Sequence, residues 1–517
     1  MRPAETTIDE PLPAWTNAAV AVALAAVVAA GLVLRFWTRS DLWLDEALTV
    51  NISRLPLSQI PGALRHDGSP PLYYFLLHFW MRAFGTSDGA IRALSGVFGV
   101  VSLPLAYLAG RRLAGRTVGW TALALVATSP FAVRYSTEAR MYMMIVALSL
   151  AGFLAVDAAL RRPAPLRLAA AAVISGLLAL SHYWALYLIA TTVVLLAWIW
   201  RREGGRDPRA PAALRTLVAV VAGTVVLLAP WVRIMAFQLR HTGTPWSGRA
   251  NFSAMVNSVS DFAGGASSTG RALGLLFFAL AGLGLFGAAI DRVRIELDLR
   301  TRPLGRSMAW LSFGTLGLGV VTGYVARSAY TARYTAVGFA FFILLVAIGV
   351  TTLADTRIRY LVVGAAVAFG FGSSVPNVTT NRTQAARIAR SLDAHAVPGD
   401  LVVYCPDQLG PGTSRLVRGH YVQITYPRAM SPARVDWVDY AKVNARSSPA
   451  AFARAAIDRA GPGHSIWLVF SPDYLAVGSR CATLEADLAA LRPHSKAFVV
   501  QSGSYFEHAN LDRFWPS

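Results

Sequence analysis

Residues 70–84 read Pro-Pro-Leu-Tyr-Tyr-Phe-Leu-Leu-His-Phe-Trp-Met-Arg-Ala-Phe, and the fold of the chain turns on whether this run crosses a membrane. It is apolar and aromatic throughout. At ~15 residues it falls short of the ~20 that a helix needs to span the hydrocarbon core. Pro70 and Pro71 suit the first turn of a helix. We read the run as a helix lying in the membrane interface.

Charge tests that reading. Eleven other apolar blocks are spans: Trp15–Arg35, Ile91–Gly110, Val118–Val133, Met141–Leu160, Leu168–Ser181, Ala185–Trp200, Leu217–Trp231, Ala272–Ile290, Met308–Val325, Ala336–Leu353 and Leu361–Val375. With the N-terminus inside, the loops after the even-numbered spans should be basic. They hold Arg111, Arg112 and Arg116; Arg161, Arg162 and Arg167; Arg201 to Arg215; Arg292 to Arg306; and Arg357 with Arg359. Counting 70–84 as a span would reverse every later loop. The first block follows Glu5, Asp9 and Glu10 and has the length of a span, so it reads as an uncleaved transmembrane helix, not a signal peptide.

Composition agrees. The 517 residues are 55% hydrophobic and 15% charged, whereas a soluble chain would be about half apolar and a quarter charged. Much of the net charge of +20 comes from arginines clustered in the short loops between apolar blocks, where it also attracts membrane lipids. No basic groove with interleaved aromatics points to nucleic acid. The expectation is a polytopic α-helical protein of the plasma (inner) membrane, multi-pass, with a cytoplasmic N-terminus.

After Pro376 the long apolar blocks stop. Helices at 384–396, 449–460 and 481–491 alternate with strands at 400–404, 465–470 and 497–501, the pattern of an α/β unit. We divide the chain into a transmembrane domain, 1–376, with a large outer loop at 36–90, and an extracytoplasmic α/β domain, 377–517. Cys405 and Cys481 both fall in the second. A disulfide and two unrelated small residues fit the sequence equally. No cysteine–histidine spacing suggests a metal site.

The polar signals gather on the outer face. Asp45-Glu46 follows Trp43-Leu44 at a membrane edge, where an acid is costly. A carboxylate there can serve as general base, or Asp45 can cap a short helix starting at Glu46. His66-Asp67 reads first as a polar turn capped by Ser69, and second as a sugar-binding pair. Tyr135, Glu138 and Arg140 share one outer insert, able to clamp a sugar and a phosphate or to pair among themselves. His182-Tyr183-Trp184 closes the fifth span; the tyrosine and tryptophan suit the aromatic belt, and His182 is less usual. Arg327, Arg333 and Tyr334 flank the tenth span. They are outer residues that the positive-inside rule does not explain, and an arginine fork suits phosphate.

Four motifs carry a family resemblance: Trp43-Leu-Asp-Glu-Ala47, Asp67-Gly-Ser-Pro-Pro-Leu-Tyr-Tyr74, Gly110-Arg-Arg-Leu-Ala-Gly-Arg116 and Ser129-Pro-Phe-Ala-Val-Arg-Tyr-Ser-Thr-Glu-Ala-Arg-Met-Tyr142. Together they resemble the membrane-embedded family C (GT-C) glycosyltransferases: protein O-mannosyltransferases, the lipid A aminoarabinose transferase and the bacterial RgtA-to-D-like group. The resemblance implies inverting transfer from a polyprenyl-phosphate sugar to a cell-envelope glycan, lipid or protein outside the membrane. It makes Asp45 the base, beside Glu46, sets Glu138 and Arg140 near the donor, and gives Arg333 the lipid phosphate. Relatives of this kind generally need no bound metal, so no cofactor is expected. Ser69 stands where the aminoarabinose transferase has a lysine, which argues against that enzyme's substrate.

Two other classes remain in view. A transporter or flippase of lipid-linked substrates would place its polar groups near the midplane, often in repeats, and here they lie at outer span ends. A non-catalytic scaffold would tolerate loss of Asp45.

Overall fold

The computed structural model describes residues 14–202, 209–243, 250–292, 294–326, 330–472 and 474–516. It opens with α1 (Ala14–Phe36), whose outward side chains such as Val22 and Val33 are apolar and exposed. Three short helices then fill the 36–90 loop: α2 (Leu44–Ser53), α3 (Ile60–Asp67) and α4 (Leu72–Phe84). The decisive run is α4, only 13 residues long. It is held close because Gly68, at φ 91°, ends α3 in the left-handed conformation that glycine adopts without strain.

The bundle continues with α5 (Asp88–Ala114), α6 (Arg116–Thr128), α7 (Pro130–Ser136), α8 (Tyr142–Arg161), α9 (Pro165–Ser181), α10 (Ala185–Arg201), α11 (Ala210–Leu228), α12 (Val232–His241) and α13 (Phe252–Asp261). It closes with α14 (Ser268–Phe286), α15 (Pro303–Ala309), α16 (Thr315–Ala326), α17 (Ala336–Val350) and α18 (Thr356–Thr379). A small hairpin, β1 (Gly287–Ala289) with β2 (Ile295–Leu297), sits in the basic loop after α14.

Among the described residues, eight helices are long and apolar enough to cross a membrane, against the eleven expected. The difference lies in three helices. Two of them, α9 and α10, have 17 residues each. The third, α6, stops after 13, because Ser129 accepts a hydrogen bond from Ala132 N and starts α7 at Pro130. The segment 233–271, expected as a polar loop, is largely helical. There α12 extends the rod begun by α11 past a 3₁₀ turn at Ala229–Trp231, and α13 follows.

At the centre is α17, with all 15 residues buried, as befits a helix apolar all round. It approaches α14 closely: a Cβ on Gly349 would collide with the Leu280 carbonyl oxygen. Small residues at such crossings bring the backbones together, the usual route to helix association in lipid.

Beyond α18 comes α19 (Ala385–His395), then a five-stranded sheet of β3 (Leu401–Cys405), β4 (Val422–Thr425), β5 (Ile466–Phe470), β6 (His494–Val499) and β7 (Asn510–Trp515). Its order is β4-β3-β5-β7-β6. The first three are parallel, and β7 runs antiparallel to both neighbours. All residues of β3 and β5 are buried, as parallel strands covered on both faces should be. Ile388 and Leu392 of α19 cover one face. The other is covered by α22 (Pro449–Ala460) and α23 (Arg480–Leu491), through Ala453, Ala456, Leu484 and Leu488. Two smaller helices, α20 (Gly410–Ser414) and α21 (Tyr440–Arg446), lie in the connections. Cys405 and Cys481 form a disulfide, Cα atoms 5.5 Å apart.

Trp43 and Leu44 belong to the apolar cluster of this sheet, with Leu401, Val403 and Phe470. Aromatic contact between Trp43 and Phe506, 5.2 Å between centroids, adds to it. The loop after the first helix is therefore built into the C-terminal unit.

Candidate active site

A cavity of about 670 Å³ opens where α2 and helix ends of the bundle meet the carboxyl end of the sheet. Asp45, Asp67, Tyr135, Glu138, Arg140, Arg333 and Tyr334 line it from the bundle. Trp437, Ser471, Tyr474, Phe506, Glu507 and His508 line it from the sheet side.

Asp45 lies in the first turn of α2, not at its cap, since Trp43 occupies the cap position. A helix N-terminus favours a carboxylate. Its Oδ2 is 3.3 Å from a guanidinium nitrogen of Arg333, which sits in a 3₁₀ turn at Ala332–Thr335 just before α17. The Arg333 guanidinium also lies 5.6 Å from the Trp43 ring centroid and 5.7 Å from that of Tyr334. Two aromatic faces thus hold the fork beside the acid.

A second group stands beside this pair. Arg140 donates to Thr49 Oγ1 at 2.8 Å and to Tyr74 OH at 3.2 Å. Tyr74 OH donates in turn to Asp67 at 2.8 Å. Burial pushes the Asp67 carboxyl above its usual range, against the pull of Arg140. Glu138 is also raised by burial, with Arg134 at 3.5 Å and Arg382 at 4.0 Å opposing. Glu138 Oε1, Arg140 Nε and Thr331 Oγ1 are buried without a hydrogen-bond partner. Each lies on a residue lining the cavity. Unsatisfied polar atoms are costly, and these three are placed to meet a polar ligand.

The other expected site residues lie elsewhere. Glu46 is turned away from the cavity: Arg92 Nε and a terminal nitrogen bind its two oxygens at 2.7 and 2.6 Å, and Ala139 N donates at 2.9 Å. Burial would raise this carboxyl, but Arg92 more than offsets it and holds it below the usual range. His66 is half-exposed and pairs with Asp436 at 2.9 Å, outside the cavity. His182 lies tilted against Tyr334 with centroids 4.6 Å apart and accepts from Trp184 N, and it is not among the lining residues. Tyr183 donates to Gln238 and accepts from Trp231, so it braces α12. Arg327 lies outside the described residues.

Residues 68–231 match the family model described as dolichyl-phosphate-mannose-protein mannosyltransferase. No curated protein sequence matches the chain. Among solved structures, ArnT from Cupriavidus metallidurans in the apo state aligns with a TM-score of 0.57 at 13% identity, over 96% of this chain and 98% of that one. The same protein bound to undecaprenyl phosphate gives 0.53, with the same identity and coverage. The oligosaccharyltransferase of Archaeoglobus fulgidus, tethered to an acceptor peptide, gives 0.53 at 10% identity, over 89% of this chain and 72% of that one. The fold is that of the GT-C glycosyltransferases. The chain is a multi-pass membrane protein.

On this fold, several lining and bracing residues escape a reading of the sequence. Arg92 carries a signal, an arginine one residue into an apolar block. Arg382 donates to Thr137 O at 2.8 Å and Thr137 Oγ1 at 2.7 Å, tying α18 to the insert that bears Glu138. Glu507 accepts from Leu44 N at 3.1 Å, one residue before Asp45. Tyr474, Glu507 and His508 sit in irregular connections of the sheet, where no periodicity marks them. Among the described residues, no three His, Cys, Asp or Glu side chains gather as a metal site.

Proposed function

We propose that this protein transfers a sugar from a polyprenyl-phosphate donor to a hydroxyl of an acceptor on the outer membrane face, with inversion, and that Asp45 is the base. The observation that carries the reading is the Asp45–Arg333 pair, 3.3 Å apart on the wall of a cavity that also holds Glu138 and Arg140. ArnT, which has the same fold, binds undecaprenyl phosphate, and this supports the donor class.

The chemistry follows from the two side chains. The donor phosphate competes with Asp45 for the Arg333 fork, a planar group matched to phosphate oxygens. Asp45, released from that pair, takes the proton of the acceptor hydroxyl. The acceptor oxygen bonds to the anomeric carbon from the face opposite the phosphate. The carbon–oxygen bond to phosphate breaks, and polyprenyl phosphate leaves with its charge held by Arg333 and Arg140. Acceptor glycan, lipid or protein enters from the sheet side, past Tyr474, Glu507 and His508. Basic loops inside and cavity outside fit a plasma-membrane enzyme with a cytoplasmic N-terminus.

The test is sugar transfer in membranes supplied with labelled polyprenyl-phosphate mannose, arabinose or glucose. Wild type is compared with Asp45→Asn at matched expression. The expected outcome is transfer from one donor by wild type and its near-complete loss in the variant. Equal transfer by both removes Asp45 as the base.

A further inference from the structure

The sheet side of the cavity has a topology of its own. In the order β4-β3-β5-β7-β6, β3 and β5 are parallel neighbours. The chain leaving β3 passes through Leu409, which packs on the face covered by α19. The chain leaving β5 passes through Ala476, Val477 and Cys481, which pack on the opposite face with α22 and α23. The two connections therefore part at the carboxyl ends of adjacent strands. In open α/β sheets such a parting opens a crevice, and ligands bind there. Ser471, the first residue past β5, still donates its N–H to Cys405 O at 3.1 Å. Ser471 and Tyr474 both line the cavity.

This side differs in chemistry from the bundle side. Among the described lining residues, all three arginines, Arg134, Arg140 and Arg333, belong to the bundle. The sheet side brings the rings of Trp437, Tyr474 and Phe506, with Ser471, Glu507 and His508. Phe506 is 66% exposed although it meets Trp43, so its ring remains open to a ligand. Trp43 Nε1 is buried without a hydrogen-bond partner, and Trp43 lines the cavity. His508 Nδ1 donates to Tyr505 O at 3.3 Å, which leaves Nε2 of the neutral ring as an acceptor. A donor, an acceptor and the Ser471 hydroxyl suit a ligand whose groups do both. A phosphate would face Glu507 and Asp45 here with no arginine from the sheet side, a repulsive arrangement. A peptide bound as an added strand needs a free edge, and β3 and β5 are each paired on both sides.

We propose that this crevice is the acceptor subsite and that the acceptor is an uncharged saccharide, its C–H faces packed on Phe506, Tyr474 and Trp437 and its hydroxyls met by Ser471, Trp43 Nε1 and His508. Aromatic faces are electron-rich and attract the weakly positive C–H bonds of a sugar ring. The inference rests on the sugar-transfer reading and narrows its acceptor from glycan, lipid or protein to glycan.

Saturation-transfer difference NMR on the purified full-length protein tests this, with no donor present. The probes are neutral trisaccharides of mannose, arabinose and glucose, their terminal monophosphates, and a threonine-rich peptide. One neutral trisaccharide should bind. Phe506→Ala should weaken that binding about tenfold, and Phe506→Tyr should restore it. Phe506 lies outside the buried core, so its truncation leaves the fold intact; Tyr474→Ala is the second variant, its folding checked by melting temperature. In sugar transfer, Phe506→Ala should raise the acceptor KM about tenfold and leave the donor KM unchanged. No binding by any neutral trisaccharide overturns the proposal, as does binding that both alanine variants leave unchanged. A phosphorylated sugar or the peptide that binds more tightly, and is itself weakened by Phe506→Ala, also overturns it. Because binding is read without donor, it holds or fails separately from the Asp45→Asn test.

Discussion

Asp45 and Glu46 are neighbours in sequence and differ in everything else. Successive helical residues point in different directions, so one acid of the pair faces the cavity and the other meets Arg92. Their substitutions should therefore fail differently. Asp45→Asn should lower transfer by ~10²–10⁴-fold, the usual worth of a general base, while the protein still melts like wild type. Glu46→Gln removes the carboxylate partner of buried Arg92 and leaves it only the Ser40 and Asp41 carbonyls, which costs about 3–5 kcal/mol. It should appear as a lowered melting temperature and poor membrane yield; a wild-type melting curve would show that the pair is dispensable. Arg333→Lys keeps a charge but loses the fork, and should raise the donor KM by about tenfold or more with less effect on kcat. Since arginines supply the positive charge here, EDTA should leave the rate within about twofold; a loss restored by Mg²⁺ or Mn²⁺ would contradict that. The acid pair and Arg333 were legible because charge at a membrane edge is expensive. Which acid faces the cavity was not, since that depends on where α2 begins.

At the scale of elements, the segment around Glu507 has the largest effect on the site. Its backbone accepts from Gln384 N at 3.0 Å and donates to Arg382 O at 2.8 Å, and its carboxyl holds the N-terminus of α2. Burial pushes that carboxyl up to about 7. Asp407, which accepts from Tyr440 OH at 2.6 Å, is also pushed up to about 7 by burial. An unfolded carboxyl titrates near ~4. Between those values the folded chain binds the extra protons, so stability is full below about pH 4 and is lost as pH rises through about 7. Glu507→Gln and Asp407→Asn should each flatten the fall in melting temperature between pH 5 and 8, and together more than either. An unchanged slope in the double variant would exclude both. Elements were legible where periodicity or composition marked them: α22 spans Pro449–Ala460, as its pattern predicts. Strands β4 and β7 were not: β4 has only four residues, and in β7 Asp512 and Arg513 together separate Leu511 from Phe514, so no alternation marks it as a strand.

For the whole molecule, hydropathy carried the bundle, and charge along the chain carries an expected orientation. Neither could show that the C-terminal unit supplies seven of the 25 residues lining the cavity, because those contacts join residues hundreds of positions apart. The disulfide belongs to this scale. It closes a loop of 76 residues, and in the chain-entropy account its removal costs about 4 kcal/mol. Cys405→Ser with Cys481→Ser should lower the melting temperature of the sheet by several degrees; melting that is unchanged by the variants, or by reductant, would mean the bridge adds nothing.

The bond between Leu44 N and Glu507 joins positions 463 residues apart. It has a consequence for biosynthesis. The helix bearing Asp45 leaves the ribosome early, and its tether is among the later parts of the chain to be made. Throughout translation and membrane insertion Asp45, the proposed base, stands without it. A chain stopped at residue 500 lacks Glu507 and should transfer no sugar.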